Sequence, residues 1–339
     1  METLKKLGIE TVKLGLVALL GLAGCSGCPK PRMGCLPTPN LTTRFAGIED
    51  LKRKKLLNSG NMMVYTRDGG HIDMDHLCET ADWTVYLAKQ TEKCLIKNLD
   101  KFEFNFDGSG YTLSINYPEN WNDLSEDKKK KVSEDVSIGL GEYIAFNATT
   151  FHEIMTYLGY MPHWPISEFS SAFSWEDNYS NLLGCRDAAI AFRDKSKPIK
   201  ESLSLVIEEE LLSLGIQPAK TSREASEKMK GIWYDRCFFL TSRMLKRHYD
   251  IGLNNGKVTP WLVLGLEECG NAKPRAYAVP KLDFAKDYGF SVGLRIEPNF
   301  AMKNSVLRIA YPDGKPEKFI EPEKHFPLIM KYIVEKDGK

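Results

Sequence analysis

A single run of helical periodicity over residues 125–158 constrains this chain more than any other feature. Val132, Val136, Leu140, Tyr143, Phe151, Met155 and Leu158 recur at helical spacing, and Gly159 supplies a stop. Such a helix is roughly 50 Å long at 1.5 Å per residue, so the rest of the domain must pack along it. Gly139 and Gly141 lie inside the run, where glycine marks either a bend or the close approach of a neighbour.

The flanking segments are shorter. Residues 62–66 predict a short buried strand and residues 67–70 a turn. A helix is expected from Asp73, whose carboxylate can accept from first-turn N–H groups, to about Asn98. Two alternating arms, Phe102 to Phe106 and Tyr111 to Tyr117, flank a loop with two glycines and predict a hairpin ended by Pro118. Residues 161–173 form an aromatic, proline-bearing loop. Ser174-Trp175-Glu176-Asp177 has the form of a capping box, opening a helix with Tyr179, Leu182, Leu183 and Ala188.

Further helices are expected at 203–214, closed by Gly215 and Pro218, from Thr221, and at 238–249. Residues 290–296 and 306–311 alternate like paired strands, and Pro322 opens a last helix through Val334. The chain lacks the strand–helix alternation of a doubly wound sheet and has no Gly-rich phosphate loop. The predicted class is α+β: a mainly helical body with an inserted β-hairpin and a C-terminal β segment. The boundaries drawn are a helical domain at 41–265 and a β-rich segment ending in a helix at 266–339.

The N-terminus predicts an address. Lys5, Lys6 and Lys13 precede the apolar run Leu14 to Leu22, which is too short to span a bilayer. Leu22-Ala23-Gly24-Cys25 matches the lipobox of bacterial lipoproteins. Residues 1–24 then read as a signal peptide, Cys25 as the lipidated first mature residue, and 25–40 as a Pro-rich tether. The membrane is the expected partner through the acyl chains. Ser26, in place of Asp, points to the outer membrane, facing the periplasm, where the organism has two. With Lys+Arg 46 against Asp+Glu 45 and a net charge of +1, no basic stripe suits nucleic acid. Of the 8 Cys, no pair in the body has C-x-x-C spacing, which argues against a Cys-rich zinc site.

Three polar neighbourhoods hold the candidate chemistry. In His71-Ile-Asp73-Met-Asp75-His76, a helix starting at Asp73 puts Asp73, His76, Thr80 and Trp83 on one face. In the long helix, His152-Glu153 has the start of a zincin pattern, a ligand His followed by a general-base Glu, but the second His is missing because position 156 is Thr. In 173–181, helix-dipole complementation accounts for Glu176 and Asp177 but not for Asn178, Ser180 and Asn181, which can instead hydrogen-bond across a helix interface. Together, His76, His152 and Glu176 would make a two-His, one-carboxylate set for a divalent metal such as zinc, with Glu153 or Asp73 as general base.

These same segments carry a resemblance. Gly69-Gly70-His71-Ile72-Asp73 through His76, Ala81-Asp82-Trp83-Thr84, His152-Glu153-Ile154, Ser171-Ala172-Phe173-Ser174 and Glu176 to Gly184 resemble an uncharacterised family of bacterial envelope proteins, catalogued only as a domain of unknown function. The resemblance covers roughly residues 47–264. It implies that the three segments belong to one domain, and it implies no activity. In the family's pattern position 71 is often not His, which makes His76 the better ligand candidate, and Trp often stands where this chain has Tyr157. Two functions are expected to compete: a lipid-tethered, metal-dependent hydrolase acting on an envelope substrate, and a non-catalytic binding or assembly lipoprotein with a buried polar network.

Overall fold

The computed structural model describes residues 43–52, 62–161, 169–236 and 242–338. The signal and tether segments, Cys25 included, and Trp164 in the aromatic loop lie outside the described residues. From the N-terminal side, β1 (Arg44–Phe45) leads into α1 (Ile48–Lys52). Then come β2 (Met62–Thr66), β3 (Gly70–Asp73), α2 (Met74–Ile96) and the hairpin β4 (Lys101–Phe106) and β5 (Ser109–Asn116). The long helix α3 (Glu126–Tyr157) is followed by α4 (Asp177–Arg193), α5 (Ile199–Ser213) and α6 (Ala219–Met229). Next are the short strands β6 (Tyr234–Arg236), β7 (Ser242–Met244), β8 (Lys257–Val258) and β9 (Tyr277–Ala278). The chain closes with α7 (Asp283–Asp287), β10 (Ser291–Glu297), α8 (Lys303–Ala310) and α9 (Pro322–Asp337).

The core is α2, α3 and α4 packed side by side. Two glycines set their spacing. A Cβ on Gly141 of α3 would stand 2.8 Å from Ala88 N and Thr84 O of α2, and one on Gly184 of α4 would stand 2.3 Å from Leu77 O. Only a residue without a side chain lets these backbones approach so closely. Gly141 therefore marks a close approach, one of the two roles its place in the helix suggested. Leu77, Ala81, Leu87, Leu140, Ile144, Phe151, Ile154, Leu182 and Leu183 fill the space between, each fully buried.

Against this unit lie two three-stranded sheets. In one, β1 pairs parallel and β3 antiparallel with β2. In the other, β5 is central, with β4 on one edge and β10 on the other, Ser291 facing Asn116 and Glu297 facing Gly110. The α+β, mainly helical class is what the structure has. No helix of the described residues is long and apolar enough to cross a membrane.

Several local expectations are corrected. Residues 306–310 belong to helix α8, with Val306, Leu307 and Ala310 as its buried face and Tyr311 as its C-cap. A run of six residues fits period two and period 3.6 about equally, and β10 finds its partner in the hairpin instead. The helix expected at 238–249 is absent from its described part, where β7 pairs with β6. Helix α6 starts before Thr221, directly after Pro218, and α5 starts at Ile199 directly after Pro198, because proline fits just outside or just inside a first turn. The capping box forms by half: Ser174 N–H donates to Asp177 Oδ2 at 3.0 Å, but the helix begins at Asp177.

Candidate metal centre

The centre is assembled where β3 runs into α2. Asp73 caps α2, its Oδ1 accepting from Asp75 N (2.8 Å) and His76 N (3.3 Å). That fixes its other oxygen, Oδ2, 3.2 Å from His76 Nδ1. Ser180 of α4 holds the Asp73 backbone by accepting its N–H at 3.0 Å. One turn along, Thr80 donates to Asn181 Oδ1 at 2.8 Å, and Asn178 donates to His248 O at 2.8 Å. The polar residues opening α4 that the helix dipole left unexplained thus stitch α4 to α2 and to the 248 segment.

That stitching brings the N-terminus of α4 over His76. Asp177 Oδ1 lies 3.4 Å from His76 Nδ1. From α3, Glu153 enters the same space, its Oε2 accepting from Phe173 N at 2.7 Å. His76, Glu153 and Asp177 each offer a ligand atom, and these atoms all lie within 4.8 Å of one another. Donors bound to one divalent ion at 2.0–2.2 Å sit about 3 to 3.5 Å apart, so the His76–Asp177 spacing suits a shared cation.

Electrostatics points the same way. Asp73, Glu153, Glu176 and Asp177 are 1%, 3%, 0% and 3% exposed. Buried carboxylates near one another disfavour each other's ionisation. Burial, and then the charge of Asp177, pushes the Glu153 carboxyl up to about 7, with His152, His76 and the Phe173 N–H pulling the other way. Burial followed by Asp177 and Asp73 pushes Glu176 well above the usual carboxylate range. The Ser174 hydroxyl relieves this in part, yet no donor among the described residues completes a hydrogen bond to either Glu176 oxygen.

The predicted site residues are therefore distributed as follows. His76 and Glu153 come together, and Asp73 joins them as the cap beside His76. His152, on the neighbouring face of α3, has its Nδ1 2.6 Å from Asp107 Oδ2 at the hairpin tip. Glu176 lies behind Asp177 and outside the close cluster. In the sequence Asp177 is a capping-box position and a dipole complement; its place three residues from Ser174 gives no hint of His76, because that meeting depends on α4 docking on α2. His71, the weaker candidate, is buried among Tyr65, Trp175 and Trp233, with ring centroids 4.9, 5.9 and 6.4 Å away. Burial pushes its imidazole down to about 3, and neither ring nitrogen has a hydrogen-bond partner among the described residues.

Fold and site together define a helical α+β domain with a buried His–carboxylate cluster. The chain belongs to the DUF4056 family of proteins of unknown function, whose sequence profile matches residues 49–260. That span holds His76, Glu153, Asp177, Asp73, His152 and Glu176. No curated protein and no solved structure matches the chain.

Proposed function

We propose that this chain is a lipid-anchored protein of the bacterial envelope that uses a divalent metal, held by His76, Glu153 and Asp177, to hydrolyse an envelope substrate. One observation carries the reading: a half-buried imidazole and two buried carboxylates present ligand atoms within 4.8 Å of each other, with Asp73 and Glu176 also buried. Glu153 and Asp177 supply the charge and His76 the nitrogen donor, and Asp73 stands beside the imidazole. A divalent ion there would lower the pKa of a bound water towards neutrality. Asp73, beside His76, would serve as the general base that accepts a proton in such a hydrolysis. The tether from Cys25 would hold the domain close to envelope substrates.

The alternative, a non-catalytic binding or assembly lipoprotein, draws on the hydrogen bonds of Asn178, Ser180 and Asn181, which pair the polar face of α4 within the protein. Metal content of the purified chain separates the two. Near-stoichiometric zinc or manganese, lost in His76→Ala and retained in His152→Ala, is expected for the metal centre. A metal-free protein whose His76→Ala variant is merely less stable would leave the alternative.

A further inference from the structure

We infer that Arg247 is a positioning residue for Glu153, acting through the peptide group that joins Ala172 to Phe173. This rests on the metal reading above. Arg247 Nη1 donates to Ala172 O. At the other end of the same peptide plane, Phe173 N–H donates to Glu153 Oε2 at 2.7 Å. One rigid planar unit thus spans the guanidinium and the carboxylate.

The segment around that peptide is held from several sides. Phe173 is fully buried at φ +53°, a left-handed conformation that is unfavourable for a residue with a Cβ. His248 N donates to Phe173 O at 2.8 Å, and the His248 carbonyl is in turn held by Asn178. The residues that clamp the peptide, Arg247 and His248, are thus consecutive, and the second is tied to the helix that carries Asp177.

Arg247 is built into its place. Its side chain is 6% exposed, and its guanidinium carbon lies 4.6 Å from the Phe169 ring centroid and 5.6 Å from that of Tyr157. Its Nε stands 3.9 Å from Asp337 at the end of α9. A cation on a carbonyl oxygen polarises the peptide and strengthens its N–H as a donor, so Arg247 both aims and firms the bond that orients Glu153. Lysine does not reproduce this planar, multi-donor geometry. The route runs from Asp337, beyond the family segment, to a ligand inside it.

Titration of the full-length chain in detergent with Mn²⁺, followed by electron paramagnetic resonance, tests the inference. Loss of such supporting bonds costs metal sites about 10- to 100-fold in affinity. Arg247→Met should therefore bind Mn²⁺ about 10- to 100-fold more weakly while keeping native circular dichroism, and Arg247→Gln, which retains a donor for Ala172 O, should recover most of the loss. A folded Arg247→Met with wild-type affinity, or a glutamine variant as weak as the methionine one, overturns the inference and leaves the metal reading standing. If Arg247→Met does not fold, Asp337→Asn decides: weaker Mn²⁺ binding supports the relay and unchanged binding overturns it. Wild-type chain that binds no Mn²⁺ overturns the metal reading, and the inference with it.

Discussion

His71, the second residue of β3, and His76, in the first turn of α2, are close in sequence and opposite in surroundings. His71 is enclosed by aromatic rings with no acid in contact, whereas His76 stands against Asp73 and Asp177. The same split runs through the facing segment, where Trp175 closes the aromatic cage and its neighbours Glu176 and Asp177 serve the acidic cluster. A dry cage keeps an imidazole neutral. An acidic pocket makes it either a cation or a ligand. Identical side chains are thus given different chemistry by the rings of Tyr65, Trp175 and Trp233 on one side and the carboxylates of Asp73 and Asp177 on the other.

The sharpest way to break the comparison is to remove the acid from one side only. Asp177→Ala should lower divalent-metal affinity more than a hundredfold, about 3 kcal/mol, measured by calorimetric titration, while leaving the cage around His71 intact. Next in size is Gly184→Ala. Its methyl would overlap Leu77 O at the α4–α2 contact, so a loss of about 2–3 kcal/mol in urea unfolding is expected, together with weakened metal binding as Asp177 moves away from His76.

The two regions should also answer pH with opposite signs. The folded pKa of His71 is depressed to about 3 from 6.5, so its contribution is complete above pH 6.5 and lost as pH falls. That amounts to about 2 kcal/mol by pH 5, and His71→Phe should abolish this part of the slope in denaturation measured at several pH values. Glu153 is raised to about 7 from 4.5. In metal-free protein it therefore favours the fold at low pH and withdraws that support as pH rises through 7. Added metal should cancel the Glu153 effect and leave the His71 effect. The smallest change is expected from Asn181→Leu, which strands the Thr80 hydroxyl and should cost about 1–2 kcal/mol in thermal or urea unfolding.

Features whose cause is local were legible in the sequence. Asp73 caps the helix it precedes, the β4–β5 arms alternate as hairpin strands do, and the long helix ends one residue from the predicted position. Features that depend on a distant partner were not. Residues 306–311 carry a pattern that suits strand and helix alike, and only the pairing of β10 with β5 decides it. The site shows the same limit. His76 and Glu153 stand out by residue type, but the pairing of His152 with Asp107 requires the hairpin tip to fold over α3, and Asp177 reaches His76 only because Gly184 lets α4 touch α2.

The antiparallel pairing of β5 with β10 also sets a timetable. About 175 residues separate the end of one strand from the start of the other, which at 5–20 residues per second is roughly 10 to 35 s of synthesis. Throughout that interval the β4–β5 hairpin has an open edge, and a lone hairpin is marginally stable in water. The hairpin carries Asp107, the partner of His152, at its tip. Maturation of this face is therefore a late event in the life of the nascent chain, governed by a strand that lies outside the family segment.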